Sequence, residues 1–438
     1  MQMNSYGLLA LNGAVIAFAI VLVARKYKTF VTPVSLFGAH CFVSSVLSPW
    51  LFLQLKLLPI SKAAVNYTIV LSCLYFAAFS LAYLARLSPL RSPLEYLAKL
   101  SRPFLIEDVP NSLAMVLLMA EFVALYVVLG VTSGAGVLWL THSREAYQRY
   151  RAGVGVWWSL AQATLMLFFL AALFRWGKTR LKVWLLVLLC SGTAFFLGSK
   201  SFILAYPVVG AFYIHFLIRR LRALTFILGG ALLLAGVVGL QLVQRTAANV
   251  SDAIHYFDYF NYSARFLENF HRHAFRWGQI TLSDLWFYVP RALYPEKPFV
   301  YGQNLLLRYI YPGFDATVRR TGFTPGMLPW SVGYADFGVP GVVGTGFLAA
   351  WVSKAVFERF LLRRDLLSLA LLVQVGFVNF IELFPGAPFP LFWGWLVLEG
   401  FLLWLLNALG PAWPPMAVTT PGQPEIDDSG RRLQTENP

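Results

Sequence analysis

The sequence predicts an all-α polytopic membrane protein, on three observations. Of its 438 residues 58% are hydrophobic and only 13% are charged, and the mean hydropathy is +0.64. Soluble domains carry roughly 45–50% apolar and about 25% charged residues, so composition excludes a soluble enzyme, a disordered chain and a DNA-binding domain. The second observation is the recurrence of apolar runs near the roughly 20 residues that a membrane helix needs. The third is charge, because Lys and Arg gather in alternate connections.

Apolar runs fall at 6–24, 31–53, 65–85, 109–130, 154–174, 183–198, 201–218, 223–243, 332–355, 366–384 and 389–408, with 183–198 the shortest. The first lacks a basic leader and a small-residue cleavage site, and is expected to be retained as a span. Residues 1–243 then hold eight helices and a small outer loop at 131–153. A large outer loop follows at 244–331, the last three helices lie in 332–408, and 409–438 form a tail. From Pro411 that tail is rich in Pro and polar residues and is expected to be disordered. Cys41, Cys73 and Cys190 all sit inside apolar runs, which gives neither a disulfide framework nor a Cys-based metal site. No repeat of 20–50 residues is present, and no inverted pair of Gly/Pro-broken helices argues for a transporter.

Orientation follows from the basic residues. Arg25/Lys26/Lys28, Arg86/Arg91/Lys99/Arg102, Arg175/Lys178/Arg180/Lys182, Arg219/Arg220/Arg222 and Arg359/Arg363/Arg364 all fall on one side of an eleven-span chain. Cytoplasmic loops collect Lys and Arg, so the N-terminus is expected outside and the C-terminus inside. The formal net charge of +15 therefore reports topology first.

Part of the charge is left over. The large outer loop carries Arg245, Arg265, Arg272, Arg276, Arg291, Lys297, Arg308, Arg319 and Arg320 against Asp252, Asp258, Glu268, Asp284, Glu296 and Asp315. The small one adds Arg144, Arg149 and Arg151 against Glu145. Arginine's planar fork suits bidentate phosphate binding, which points to an anionic ligand, a phosphate or pyrophosphate, at the outer membrane–water boundary. The alternative is that these arginines meet lipid headgroups or pair with neighbouring acids.

A helix over 257–278 would place Arg265, Arg272 and Arg276 on one stripe beside Glu268, with Tyr259, Phe266, Phe270 and Trp277 on a second face. Such an amphipathic helix suits the membrane interface; the plainer version packs on the membrane domain and pairs an arginine with Glu268. Three prolines in Val289–Pro298 stop any helix and set an extended path bearing Arg291, Glu296 and Lys297. The glycine-rich stretch Gly333–Gly341 leads into the ninth span.

At these two segments the chain resembles the Wzy-type O-antigen and exopolysaccharide polymerases of bacteria. Their Pro-Arg…Pro-x-Lys-Pro stretch is matched by Pro290-Arg291…Pro295-Glu296-Lys297-Pro298. Their aromatic-x-acid/amide-Phe-Gly-x-x-Gly stretch is matched by Tyr334-Ala335-Asp336-Phe337-Gly338-Val339-Pro340-Gly341. The Gly198-Ser199-Lys200-Ser201 turn also looks like a family feature, although Arg is the commoner basic residue there. An Arg-x10-Gly pattern is met by Arg144…Gly155 and Arg291…Gly302. One departure is that Val332 stands where many relatives carry an acid, so no base role transfers to that position.

The resemblance implies a GT-C-like, metal-independent glycosyltransferase without cofactor in the inner (cytoplasmic) membrane. Its partners would be an undecaprenyl-diphosphate-linked glycan donor, a lipid-linked acceptor unit, the bilayer and a chain-length regulator, with no nucleic acid. Such chemistry needs cations to stabilise the departing diphosphate and a base for the acceptor hydroxyl. Arg291 and Lys297 are first for the diphosphate, followed by Arg144, Arg272 and Arg276. Arg265, Lys200 and Tyr334 complete the expected substrate contacts. Glu268, His271, His273, Glu296 and Asp336 are eligible bases by chemistry, with Glu296 and His273 preferred. Glu121, Glu382 and Glu399, inside apolar runs, are further candidates by the cost of burying an acid there. The stretch 54–64 contains no acid, which argues against a metal-dependent relative with an acidic pair in its first outer loop. An O-antigen ligase and, behind it, a lipid-linked-oligosaccharide flippase or other transporter are the competing readings.

Overall fold

The computed structural model describes residues 4–55, 60–85, 112–150, 154–198, 200–243, 258–289, 294–315 and 326–373. Among these, every regular element is helical. Six helices are long and apolar enough to cross a membrane: Ser5–Tyr27 (α1), Pro33–Gln54 (α2), Lys62–Leu84 (α3), Ser112–Thr132 (α4), Gly155–Trp176 (α6) and Ser331–Arg363 (α12). With them stand Arg180–Phe195 (α7), Lys200–Tyr213 (α8) and Ala223–Val243 (α9), which occupy predicted spans. Ser143–Tyr150 (α5), Tyr259–Phe270 (α10) and Gln279–Ser283 (α11) lie in predicted loops, and Leu366–Val373 (α13) starts the tenth predicted run. This is the architecture of a membrane-embedded protein. The eleventh run and the tail lie outside the described residues.

Local chemistry explains where the helices start. Asn4, Thr32, Ser61 and Thr179 cap α1, α2, α3 and α7 by accepting from the backbone N–H two or three residues on, which satisfies donors that no helix can pair internally. α2 contains a π turn at Val43–Leu47. The buried Asn12 side chain of α1 donates there to the Ser45 carbonyl at 3.3 Å and to Ser45 Oγ at 3.1 Å.

The C-terminal parts of α1, α3 and α12 meet at one end of the bundle. Lys26 Nζ donates to the Tyr83 carbonyl at 2.6 Å, and Lys354 Nζ to the Ala85 carbonyl. Tyr27 Oη donates to Glu358 Oε1 at 2.8 Å, and Thr29 meets His215. Two ammonium groups thereby cover the open carbonyls at the C-terminus of α3, where the helix dipole favours positive charge. We call this the basic end and its opposite the loop end.

α12 is the helix against which α3 packs. It places Gly346 where an added Cβ would lie 2.7 Å from the Tyr75 carbonyl, the close backbone approach that small residues permit between membrane helices. Near the loop end α12 is broken. Gly338 has φ 68° and ψ −149°, a region essentially reserved for glycine. The break folds residues 331–337 back on the helix that continues to Arg363. A Cβ on Gly341 would lie 2.0 Å from the Gly333 carbonyl, and one on Gly333 2.7 Å from the Gly341 carbonyl. The stretch expected to lead into a span is therefore a helical hairpin, and its glycines are the residues that let it close.

The predicted interfacial helix over 257–278 is corrected in extent and in place. α10 ends at Phe270, and it does not lie on the surface. Its residues Phe260, Asn261, Ser263, Ala264, Phe266, Leu267 and Phe270 are all buried. It runs along α3, with Glu268 accepting from Ser61 N at 2.9 Å at one end and Tyr259 packing against His40 at the other. Alongside, Leu328 N donates to Ser263 Oγ at 2.8 Å and Trp330 Nε1 to Ser72 Oγ at 3.0 Å. Ser72 lies ten residues into α3, about 15 Å deep at 1.5 Å per residue. Tyr259–Phe270 and the 326–330 segment are thus re-entrant, dipping into the helix bundle. The cause is apolar content: four of the seven buried α10 residues just named are Phe or Leu, and a solvent-facing helix would leave part of that surface wet.

A direct check on the hairpin is Gly341→Ala. It is expected to lower the thermal unfolding temperature of the detergent-solubilised protein, whereas Gly344→Ala, where nothing lies within 4 Å of the added Cβ, should leave it unchanged. Equal melting of the two variants would remove the close-approach explanation.

Candidate functional site

The site is built where the chain leaving α10 crosses the break in α12. After Phe270 the backbone keeps a few local turn bonds and adds two to the broken helix. Arg276 N donates to the Ala335 carbonyl and Trp277 N to the Asp336 carbonyl, both at 2.9 Å. Trp277 takes a left-handed backbone (φ 49°), as does Gly278 (φ 85°). For a bulky residue this costs roughly 1–2 kcal/mol, which the two cross-chain bonds offset. These bonds end the predicted arginine stripe, because Arg272 and Arg276 leave the helix that holds Arg265.

The same contact decides the role of Asp336. Its fully buried carboxylate accepts from Ile280 N at 3.1 Å, from Thr281 N at 2.9 Å and from Thr281 Oγ1 at 2.7 Å. It caps α11 from another part of the chain, so both oxygens are committed to holding structure. Glu268 is committed likewise to Ser61 N. Asp336 has both carboxylate oxygens engaged, and Glu268 has one.

Around this latch cations and rings converge. The Arg276 guanidinium donates through Nε to Tyr309 Oη at 2.7 Å and through Nη2 to the same oxygen, and lies 5.6 Å from the ring centroid. Tyr309 ends the 3₁₀ segment Gly302–Tyr309, and its carbonyl accepts from Asn269 Nδ2 at 2.8 Å. His273 stacks on Phe270 and meets the edge of Tyr309 at 4.9 Å between centroids. Tyr334 stands edge-on to Phe275 at 6.0 Å and to Tyr67 at 5.8 Å. His271, Arg272, His273 and Phe275 are exposed, while Arg276 and Tyr334 are half-buried. The arrangement offers positive charge beside open aromatic faces, which suits an anion attached to an amphipathic body such as a sugar.

Other predicted residues go elsewhere. Arg265 Nε donates to Asn261 Oδ1 at 3.1 Å. Beside it burial, and then the neighbouring Tyr311, hold the Tyr262 phenol above its ordinary value, so it stays neutral. Arg144 Nη1 donates to the Gly198 carbonyl at 3.0 Å and its guanidinium lies 5.2 Å from the Tyr147 ring. Ser143, Tyr126 and Trp158 donate to the carbonyls of Phe195, Phe196 and Leu197, so Arg144 belongs to a cap on the end of α7. That cap adjoins the Gly198–Ser201 turn; the side chain of Lys200 is outside the described ones. Arg308 makes a two-point pair with Asp315, and Arg149 pairs with Glu145. These are the plain ion pairs that the sequence allowed, and being exposed they add little stability.

The proline-rich segment is a turn where it is described, with Lys297 N donating to the Tyr294 carbonyl at 3.1 Å rather than following an extended path. Glu296 is exposed on it, and Lys297 Nζ lies 5.1 Å from the Tyr301 ring. Arg291 lies outside the described residues, as do Arg151, Arg245, Arg319, Arg320, Glu382 and Glu399. Among the described residues no group of three His, Cys, Asp or Glu is placed to hold a metal ion.

Sequence reasoning passed over Tyr309 and Tyr67, and placed Trp277 only on the aromatic face of the expected helix. Trp277-Gly278 carried a turn signal in its glycine; the two tyrosines carried none, since their importance arises only when α3, α10 and the 3₁₀ segment meet. No family model, no curated protein and no solved structure matches the chain.

The latch has a measurable consequence. Asp336→Asn turns an acceptor into a donor facing backbone N–H groups and should cost about 1–3 kcal/mol, read as a lower melting temperature in detergent. Glu296→Gln should melt as the parent does. An unshifted Asp336→Asn would show that the carboxylate is not holding α11.

Proposed function

We propose that this chain is a metal-independent, GT-C-like glycosyltransferase of about eleven spans. It would polymerise undecaprenyl-diphosphate-linked repeat units at the periplasmic face of the bacterial inner membrane. The observation that carries the reading is the junction at the α12 break. The Tyr334–Gly341 stretch, one basis of the resemblance, is hydrogen-bonded to the segment bearing Arg272, His273 and Arg276. A motif and a set of unexplained cations thereby share one place, at the end of the bundle away from the basic loops.

In the reaction an acceptor hydroxyl attacks the anomeric carbon of the growing glycan. The carbon–oxygen bond to the lipid diphosphate breaks as the new glycosidic bond forms, and the hydroxyl proton passes to a base. Arg276 and Arg272, with Arg291 and Lys297 from the proline-rich segment, would stabilise the departing diphosphate. His273 is favoured as base, because Asp336 is buried with both oxygens engaged and Glu268 holds Ser61 N, while His273 is exposed beside Tyr309. Glu296 is the second choice. Tyr334, Tyr67 and Phe275 would hold sugar faces.

The re-entrant segments also favour a transport reading, since broken helices mark many transporter sites. Against it, their deep ends are filled by the buried rings of Trp330 and Phe260, at 1% and 0% exposure.

Glycan length on a gel, in a deletion strain carrying variants, tests the assignment. Arg276→Ala and Arg291→Ala are each expected to shorten the chains to one or a few units, and deletion to leave single units on lipid A. Long chains with both variants stably expressed would remove these arginines from the site, and a deletion that leaves no glycan on lipid A would make the enzyme a ligase. Orientation is tested by reporter fusions: a fusion at Lys178 should be active only in the cytoplasm and one at Ser133 only outside it.

A further inference from the structure

The strap between α10 and the 3₁₀ segment Asp284–Tyr288 carries a feature that the cation cluster does not use. Trp277 is 74% exposed although its backbone is held in the left-handed region by two cross-chain bonds. A chain seeking only to cross the α12 break would place glycine here, as it does at the next position. Leu282 and Leu285 are 64% and 54% exposed on the same strap, while Ile280 between them and Trp277 is buried. The strap thus buries Ile280 toward the protein and turns Trp277, Leu282 and Leu285 away from it.

Its outward side continues an existing surface. The Trp277 ring stands edge-on to Phe337 at 6.4 Å. Phe337 is 44% exposed, and along α12 beyond the break Val339 and Val343 are 38% and 40% exposed. Those two valines lie on a helix long and apolar enough to cross a membrane, so their open side faces lipid. Just before the strap in the chain, Arg272 and Arg276 supply positive groups. A row of apolar side chains ending in Trp with cations next to it has the chemistry of a membrane–water boundary.

We infer that the strap Trp277–Leu285 is a lipid-docking surface, seated in the interfacial layer of the bilayer at the loop end. Trp277 is its anchor, and the left-handed backbone serves to turn that ring toward lipid. The occupant is membrane lipid, whose acyl chains cover Leu282, Leu285 and Phe337 while its headgroups meet the cations. This seating does not depend on the proposed reaction.

Spin labels on the full chain in lipid nanodiscs test it. Labels are placed by Trp277→Cys or Leu282→Cys after Cys41→Ala, Cys73→Ala and Cys190→Ala, with Val343→Cys as the lipid reference and Glu296→Cys as the water reference. Labels at 277 and 282 are expected to collide with oxygen more than with a nickel chelate, as at 343. Nickel access like that at 296 would overturn the seating, and so would protection from both reagents, which means a covering protein surface. Because the cysteine-free chain can fail to fold, the native chain offers a second measurement. In bilayers of brominated phosphatidylcholine its Trp emission should be quenched by a larger fraction than that of Trp277→Phe, and equal fractions would overturn the proposal. Failure of either experiment leaves the glycan-length test untouched.

Discussion

The constraint on which the loop end depends is that polar backbone inside an apolar bundle must find a partner within the protein. A helix broken at Gly338 leaves carbonyls without their usual donors. Here Ala335 and Asp336 give theirs to Arg276 and Trp277, while the Asp336 side chain covers the first donors of α11. One exchange therefore satisfies two chain breaks. It also explains why cations, rings and the glycine-rich hairpin are found together: the bonds that repair the break are made by the segment that carries the cations.

The opposite end solves the same problem with charge. The open carbonyls of α3 receive ammonium donors from α1 and α12, and Lys354 is only 2% exposed while doing so. Burying an ammonium is unfavourable unless it is paired and hydrogen-bonded. Glu358, one turn on at 3.9 Å, and the carbonyls together provide that. The basic residues that read as topology markers are in part fasteners, tying α1, α3 and α12 together.

Much of this was legible in the sequence, for identifiable reasons. The long helices follow from apolar run length, and starts such as Thr32-Pro33 and Ser61 follow from capping chemistry. The arginine stripe was not legible, because a helical period continues past Phe270 while long-range bonds from Arg276 and Trp277 pull the chain out of it. The hairpin at Gly338 was visible only as a cluster of glycines; which of them meet depends on Gly333 and Gly341 approaching across a fold. Asp336 read as a reactive acid because a buried cap and a catalytic carboxylate look alike until their donors are known.

The threading of the large loop has a consequence for biosynthesis. Tyr259–Phe270 and the 326–337 segment are too short to be inserted as spans, and their buried faces pack on α3 and on one another. They must arrive after that helix is already in the membrane, and the second can settle only once α12 is there too. Their seating is therefore a docking event that follows insertion of the helices they pack on. A chain cut short before α12 would be inserted yet unfinished, with Ser72 facing an empty seam.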